Sequence, residues 1–134
     1  MSIKYTDGYK YQNEEDYCFQ TNITGHTGGN SFVHIAADGM LNVYVGYAWD
    51  GPSGPTIDTE NSKRPSMIHD ALYQLMRMKI LPQICRKRAD DILYAELVKN
   101  GMIRFRAWYW YKSVRNCAAP FADPAHVKPL KEAP

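Results

Sequence analysis

The stretch that most constrains the fold is residues 46–73, GYAWDGPSGPTIDTENSKRPSMIHDALY, in which a loop punctuated by glycine and proline feeds a helix. Pro52 and Pro55 lack an amide donor and hold φ at roughly −65°, and Gly51 and Gly54 supply turn conformations, so WDGPSGP cannot continue a helix or lie inside a sheet. Its backbone carbonyls are left free to face a ligand. Downstream, Arg64-Pro65-Ser66 reads as a helix start with Ser66 as the N-cap, and MIHDALYQLMRM continues it in good helix formers. Helical spacing puts His69, Leu72, Tyr73 and Met76 along one face, with Asp70 turned about 100° away.

The residues before this stretch read as strands. Tyr17-Cys18-Phe19-Gln20-Thr21 has strand character, and GHTGGN at residues 25–30 reads as a loop. FVHIA and LNVYV flank Asp38-Gly39, the strongest short-range hairpin signal, and Leu41, Val43 and Val45 alternate with Asn42 and Tyr44 to give one buried face. Residues 1–16 are polar with scattered tyrosines and support no assignment beyond a solvated turn at residues 13–16.

Beyond the stretch, Pro82 ends the first helix. A second helix is expected over residues 84–99, with Ala89, Ile92, Leu93 and Leu97 at helical spacing, Asp90 and Asp91 aboard, and Asn100-Gly101 as a left-handed stop. A third, over residues 103–116, carries Phe105, Trp108, Tyr109, Tyr111 and Val114 around much of its circumference and is expected to be well packed. Prolines at 120, 124, 129 and 134 predict an extended tail. The expected fold is α+β: one domain over residues 1–117, with a two- or three-stranded antiparallel hairpin sheet in the N-terminal half and three helices after it, then a Pro-rich tail over residues 118–134.

Charge and cysteine usage narrow the function classes. A net charge of +2 over 134 residues gives no electrostatic ground for a nucleic-acid partner, and Arg86-Lys87-Arg88 with Arg104, Arg106, Lys112 and Arg115 read as solvated helical faces. Cys18, Cys85 and Cys117 are odd in number, with no CxxC pair, which argues against a disulfide framework or a zinc site. There is no signal-peptide pattern and no run of about 18 apolar residues, so folding in a reducing cytosol without a transmembrane segment is expected. His26, His34 and His126 lack partners at a meaningful spacing.

A histidine followed by an aspartate, one turn before a tyrosine, with a carbonyl-rich turn upstream and acids downstream, is suited to metal-assisted hydrolysis. Neutral imidazole at His69 could take a proton from water near neutral pH. Asp70 and loop carbonyls are hard oxygen ligands, which suit calcium better than zinc. Calcium there would polarise a carbonyl oxygen, with the Gly51 amide adding an oxyanion contact. Asp90 or Asp91 could accept from the other imidazole nitrogen, with Tyr73 bracing that carboxylate.

Two resemblances attach to these residues. Across roughly residues 45–114, GYAWDGPSGP, RPSMIHDALYQL, RKRADDILY and WYWYKSVR resemble a family of small proteins of tailed phages and prophages, a domain of unknown function. That resemblance implies a phage or prophage origin and no agreed activity. More locally, WDGPSG followed by HDALY resembles the calcium loop and catalytic helix of phospholipases A2, especially the short disulfide-free versions in parvovirus capsids. In that family the loop reads aromatic-x-Gly-x-Gly, the helix reads HDxxY, and a later Asp completes a His-Asp dyad. The resemblance implies a phospholipase A2-like helical core, with His69 as base, Asp70 as calcium ligand, Tyr73 as brace and Asp90 as imidazole partner. The carbonyls of Trp49, Gly51 and Ser53 would complete the metal site. The sequence departs at Ser53, where the second loop glycine falls unless the loop shifts to Gly54, and in lacking the paired cysteines of secreted members.

The expected function is therefore a phage-encoded, calcium-dependent hydrolase acting on a phospholipid or another ester, made in the host cytoplasm and possible cargo of the virion. The competing expectation is a non-enzymatic phage protein, either a virion or tail component or a host-takeover factor, that meets other phage proteins and keeps the His-Asp motif for structure.

Overall fold

In the computed structural model of the chain, residues 3–6, 9–49, 60–117 and 122 are described. Strands β1 (Ile3–Thr6), β2 (Tyr9–Asn13) and β7 (Ala48–Trp49) form a three-stranded sheet in the order β1-β2-β7. Strands β3 (Tyr17–Gln20), β4 (Gly28–Gly29), β5 (Val33–Ile35) and β6 (Met40–Val43) form a four-stranded sheet in the order β3-β6-β5-β4. All these pairings are antiparallel. Helices α1 (Glu60–Arg77), α2 (Arg86–Lys99) and α3 (Arg104–Cys117) follow, with a 3-10 turn at Gln83–Cys85 leading into α2. The class is α+β, antiparallel sheet in the N-terminal half followed by three helices, but the hairpin belongs to a four-stranded sheet rather than one of two or three strands, and a separate three-stranded sheet stands beside it in the strand order. Among the described residues, no helix is long and apolar enough to cross a membrane.

The β5–β6 hairpin follows from its sequence. Val33 faces Val43 and Ile35 faces Leu41, all buried, while the intervening His34 and Asn42 pair is half-exposed. The turn holds three residues rather than the two that Asp38-Gly39 suggests: Ala36 N–H donates to the Met40 carbonyl at 2.9 Å, and Gly39 N–H to the Ala36 carbonyl at 2.9 Å. Gly39 adopts φ +97°, and a Cβ there would come within 2.5 Å of Gln20 Oε1 and 2.9 Å of the Asn22 amide nitrogen, so conformation and space both require glycine. Val45 leaves the strand and is exposed, ending the alternation at Val43.

Helix α1 begins at Glu60, so Ser66 is not its N-cap. The Ser66 hydroxyl donates to the Lys63 carbonyl at 2.9 Å, and Pro65 lies inside the helix. Pro65 forfeits one backbone bond close to the helix start, which is tolerated more readily than in a helix middle. Ser66 to Met76 are buried apart from half-buried Asp70, so α1 is wrapped on nearly every side. It ends before Pro82 acts: Ile80 N–H bonds the Leu75 carbonyl and Lys79 N–H the Met76 carbonyl, both at 3.0 Å, with Lys79 at φ +64°. That is a Schellman stop built on lysine rather than glycine. α2 stops in the same way on Gly101 at φ +101°.

α1 packs on α2 and β5, and α2 packs on α3. The core joins Leu72, Leu75 and Met76 of α1 to Leu93 and Leu97 of α2, Ala107, Trp110 and Val114 of α3, and the buried face of the hairpin. α3 therefore buries one stripe at i, i+3 and i+7 and exposes Phe105, Trp108 and Tyr109, contrary to the expectation that its aromatics are packed all round. Of the residues read as a tail, Ala122 is described: it is buried, and its carbonyl accepts from Gln83 Nε2 at 2.6 Å.

Candidate active site

Three helices bring the side chains of the site together. On α1, His69 and Tyr73 are one turn apart, and their rings lie 4.3 Å apart at 38°. On α2, Asp90 falls on the apolar stripe that includes Ala89, Leu93 and Leu97, so its carboxyl is carried into the core with no exposure at all. His69 Nε2 lies 2.7 Å from Asp90 Oδ1, and the Tyr73 hydroxyl donates to the same oxygen at 2.7 Å. On α3, Arg115 Nη1 donates to Asp90 Oδ2 at 2.8 Å, and Arg86 Nη1 of α2 stands 3.6 Å from that oxygen.

Arg86 has further duties: Nη1 reaches the Val114 carbonyl at 3.3 Å and Nη2 the Arg115 carbonyl at 3.5 Å, both in the last turn of α3, where a cation also meets the negative end of the helix dipole. A buried carboxylate without partners would be prohibitively unfavourable; here both oxygens are saturated by donors from all three helices.

The electrostatics follow from this geometry. Burial pushes the Asp90 carboxyl towards its neutral form, but the His69 ring, the Tyr73 hydroxyl and the Arg115 guanidinium together hold its pKa below the usual carboxylate value. Burial likewise disfavours the His69 cation, yet Asp70 and Asp90 outweigh it and raise the imidazole pKa. Burial and the Asp90 charge raise the Tyr73 phenol, which stays a neutral donor. Since ionised Asp90 can only accept, Nε2 carries the proton in the neutral ring, and Nδ1 is the nitrogen left with a lone pair. Asp70 lies on that side, its Oδ1 3.8 Å from Nδ1, too long for a direct hydrogen bond.

The four residues read as the heart of the site, His69, Asp70, Tyr73 and Asp90, are thus brought together. The choice left open between the two acids is made by α2: Asp90 faces His69, while Asp91 turns outward to Lys87 Nζ at 2.9 Å and the Tyr111 hydroxyl at 2.9 Å. Trp49 enters as the last residue of β7, paired with Tyr11; Gly51 and Ser53 lie outside the described residues. Arg86 and Arg115, expected on solvated helical faces, instead turn their guanidinium groups to Asp90. One signal was present, since Arg86, Asp90, Leu93 and Leu97 recur on one helical stripe; nothing local marks Arg115.

For calcium the residues present are partly suited. Among the described residues the charged partner of the Asp70 carboxylate is the His69 ring, which leaves it available as a hard oxygen ligand. Among the described residues no three His, Cys, Asp or Glu group as a metal site, so further ligands would be carbonyls or water. Compared with known protein families, curated proteins and solved structures, the chain matches none.

Proposed function

We propose that the chain is a phospholipase A2-like, calcium-dependent lipid ester hydrolase encoded by a phage or prophage. The observation that carries this reading is the buried imidazole of His69, bonded through Nε2 to a buried, ionised Asp90 and turning Nδ1 towards the side of Asp70. His69 Nδ1 takes the proton of an attacking water, and Asp90 holds the ring in the required tautomer and stabilises the imidazolium as it forms. Tyr73 and Arg115 keep the carboxylate ionised and pointed at the ring. Asp70, with carbonyls of Trp49, Gly51 and Ser53, would hold calcium, whose chemistry is to polarise the ester carbonyl.

A second reading is favoured by one observation. Four side chains converging on a buried carboxylate also make a structural hub, suited to a non-enzymatic virion, tail or host-takeover protein. Two measurements separate the readings. Calorimetric titration with calcium is expected to show binding that Asp70→Asn weakens or abolishes; matching isotherms would remove the metal. Fatty-acid release from mixed micelles of phosphatidylglycerol, a phospholipid without choline, is expected to fall in Asp90→Asn and to persist in Asp91→Asn, and the reverse order would mean that the wrong carboxylate has been assigned.

A further inference from the structure

About 100° around α2 from Asp90, two helices line a cavity of about 220 Å3. Its walls are Asp91 and Tyr94 of α2 with Trp108 and Tyr111 of α3, each pair three residues apart and so projecting from one helix face. The Tyr94 and Tyr111 rings stand edge to face, centroids 6.0 Å apart at 70°, and Trp108, half exposed, forms the third aromatic wall. Asp91 supplies a carboxylate that the Tyr111 hydroxyl orients at 2.9 Å. The volume lies below the roughly 300–1,000 Å3 of pockets that enclose a whole drug-sized ligand, so it suits a single compact group.

Three aromatic side chains beside one carboxylate attract a cation, and a mostly apolar lining favours one clad in methyl groups over a strongly hydrated ammonium. We propose that this cavity binds a quaternary ammonium group, such as the trimethylammonium of choline, free or on a lipid headgroup. The occupant of Asp91 in the structure is Lys87, whose Nζ lies 2.9 and 3.2 Å from the two carboxylate oxygens. Both side chains of that pair are well exposed, so it is an ion pair of little strength that an incoming cation displaces. The proposal does not rest on hydrolysis: binding is read with no ester present, so the two can fail separately.

The test is calorimetric titration of the full chain with choline chloride at constant ionic strength, beside 3,3-dimethylbutan-1-ol, the uncharged carbon analogue of choline. Choline is expected to bind about tenfold or more tightly than the analogue, and Trp108→Ala to weaken it by about as much. Trp108 is a surface residue, so its removal leaves the core residue Trp110 in place. Lys87→Ala is expected to tighten choline binding by freeing Asp91; weaker binding in that variant would overturn the assignment of Asp91 as the anionic wall. Co-sedimentation with phosphatidylcholine in preference to phosphatidylethanolamine vesicles, lost in Trp108→Ala, would assign the lipid source, and choline binding without that preference the soluble one. Equal binding of choline and its analogue, or no binding of choline by the parent protein, would overturn the proposal.

Discussion

Asp90 is the residue on which the others converge, and its place in the site could be read only in part. HDALY marks His69, Asp70 and Tyr73 because their spacing along one helix is local, whereas the partner of His69 depends on which face α2 turns inward, and Arg115 comes from a third helix. Because Asp90 has no exposure and holds His69, Tyr73 and Arg115, Asp90→Ala strands buried donors and is expected to lower the unfolding free energy by about 3–5 kcal/mol, read as a shift in denaturant midpoint. The same contacts predict a pH dependence. Asp90 has its pKa lowered on folding, so its stabilisation is present above the unfolded value of about 3.9 and is lost as pH falls through the folded value. His69 has its pKa raised, so its stabilisation is full below the unfolded value of about 6.5 and is lost as pH rises through the folded value. Denaturation in chelator is therefore expected to show greatest stability between about pH 4 and 6.5, with His69→Gln removing the decline on the alkaline side. An identical alkaline decline in that variant would assign it to other groups.

Among the elements, α2 and the β5–β6 hairpin were the most legible, since periodicity and the Asp38-Gly39 and Asn100-Gly101 signals are local. The ends of α1 were less so: its start is six residues before Ser66, counting from Glu60, and its stop uses a lysine in the conformation that glycine normally takes. That stop carries a prediction. Lys79 at φ +64° is strained by its Cβ, so Lys79→Gly is expected to raise stability by up to about 1 kcal/mol, detectable as a higher melting temperature. A fall would mean that the lysine side chain contributes more than its backbone strain removes. Leu72→Ala in the same helix, at no exposure, is expected to lose about 2–5 kcal/mol. For α3, counting aromatic residues does not reveal which side they occupy; among its described side chains the buried ones are the stripe of Ala107, Trp110 and Val114.

At the scale of the whole molecule the α+β order, sheet before helices, was readable, while the sheet of β1, β2 and β7 was not, because IKYT and YKYQN show no apolar alternation. The arrangement has one functional consequence. Three helices pack so that a single buried carboxylate is shared between the His69 imidazole on α1 and a guanidinium on α3, so that stability and, in the function proposed above, catalysis would depend on one residue, whereas His69 can be changed with the hub largely intact. The most direct measurement is fatty-acid release from phospholipid mixed micelles by the parent protein and by His69→Gln, each with calcium and with chelator, alongside the thermal unfolding of both. The account predicts release by the parent that requires calcium, and a loss of about 10²- to 10⁴-fold in His69→Gln with the fold retained. Absent or calcium-independent release from the parent, or release unchanged in His69→Gln, would contradict it and leave the His-Asp pair a structural one.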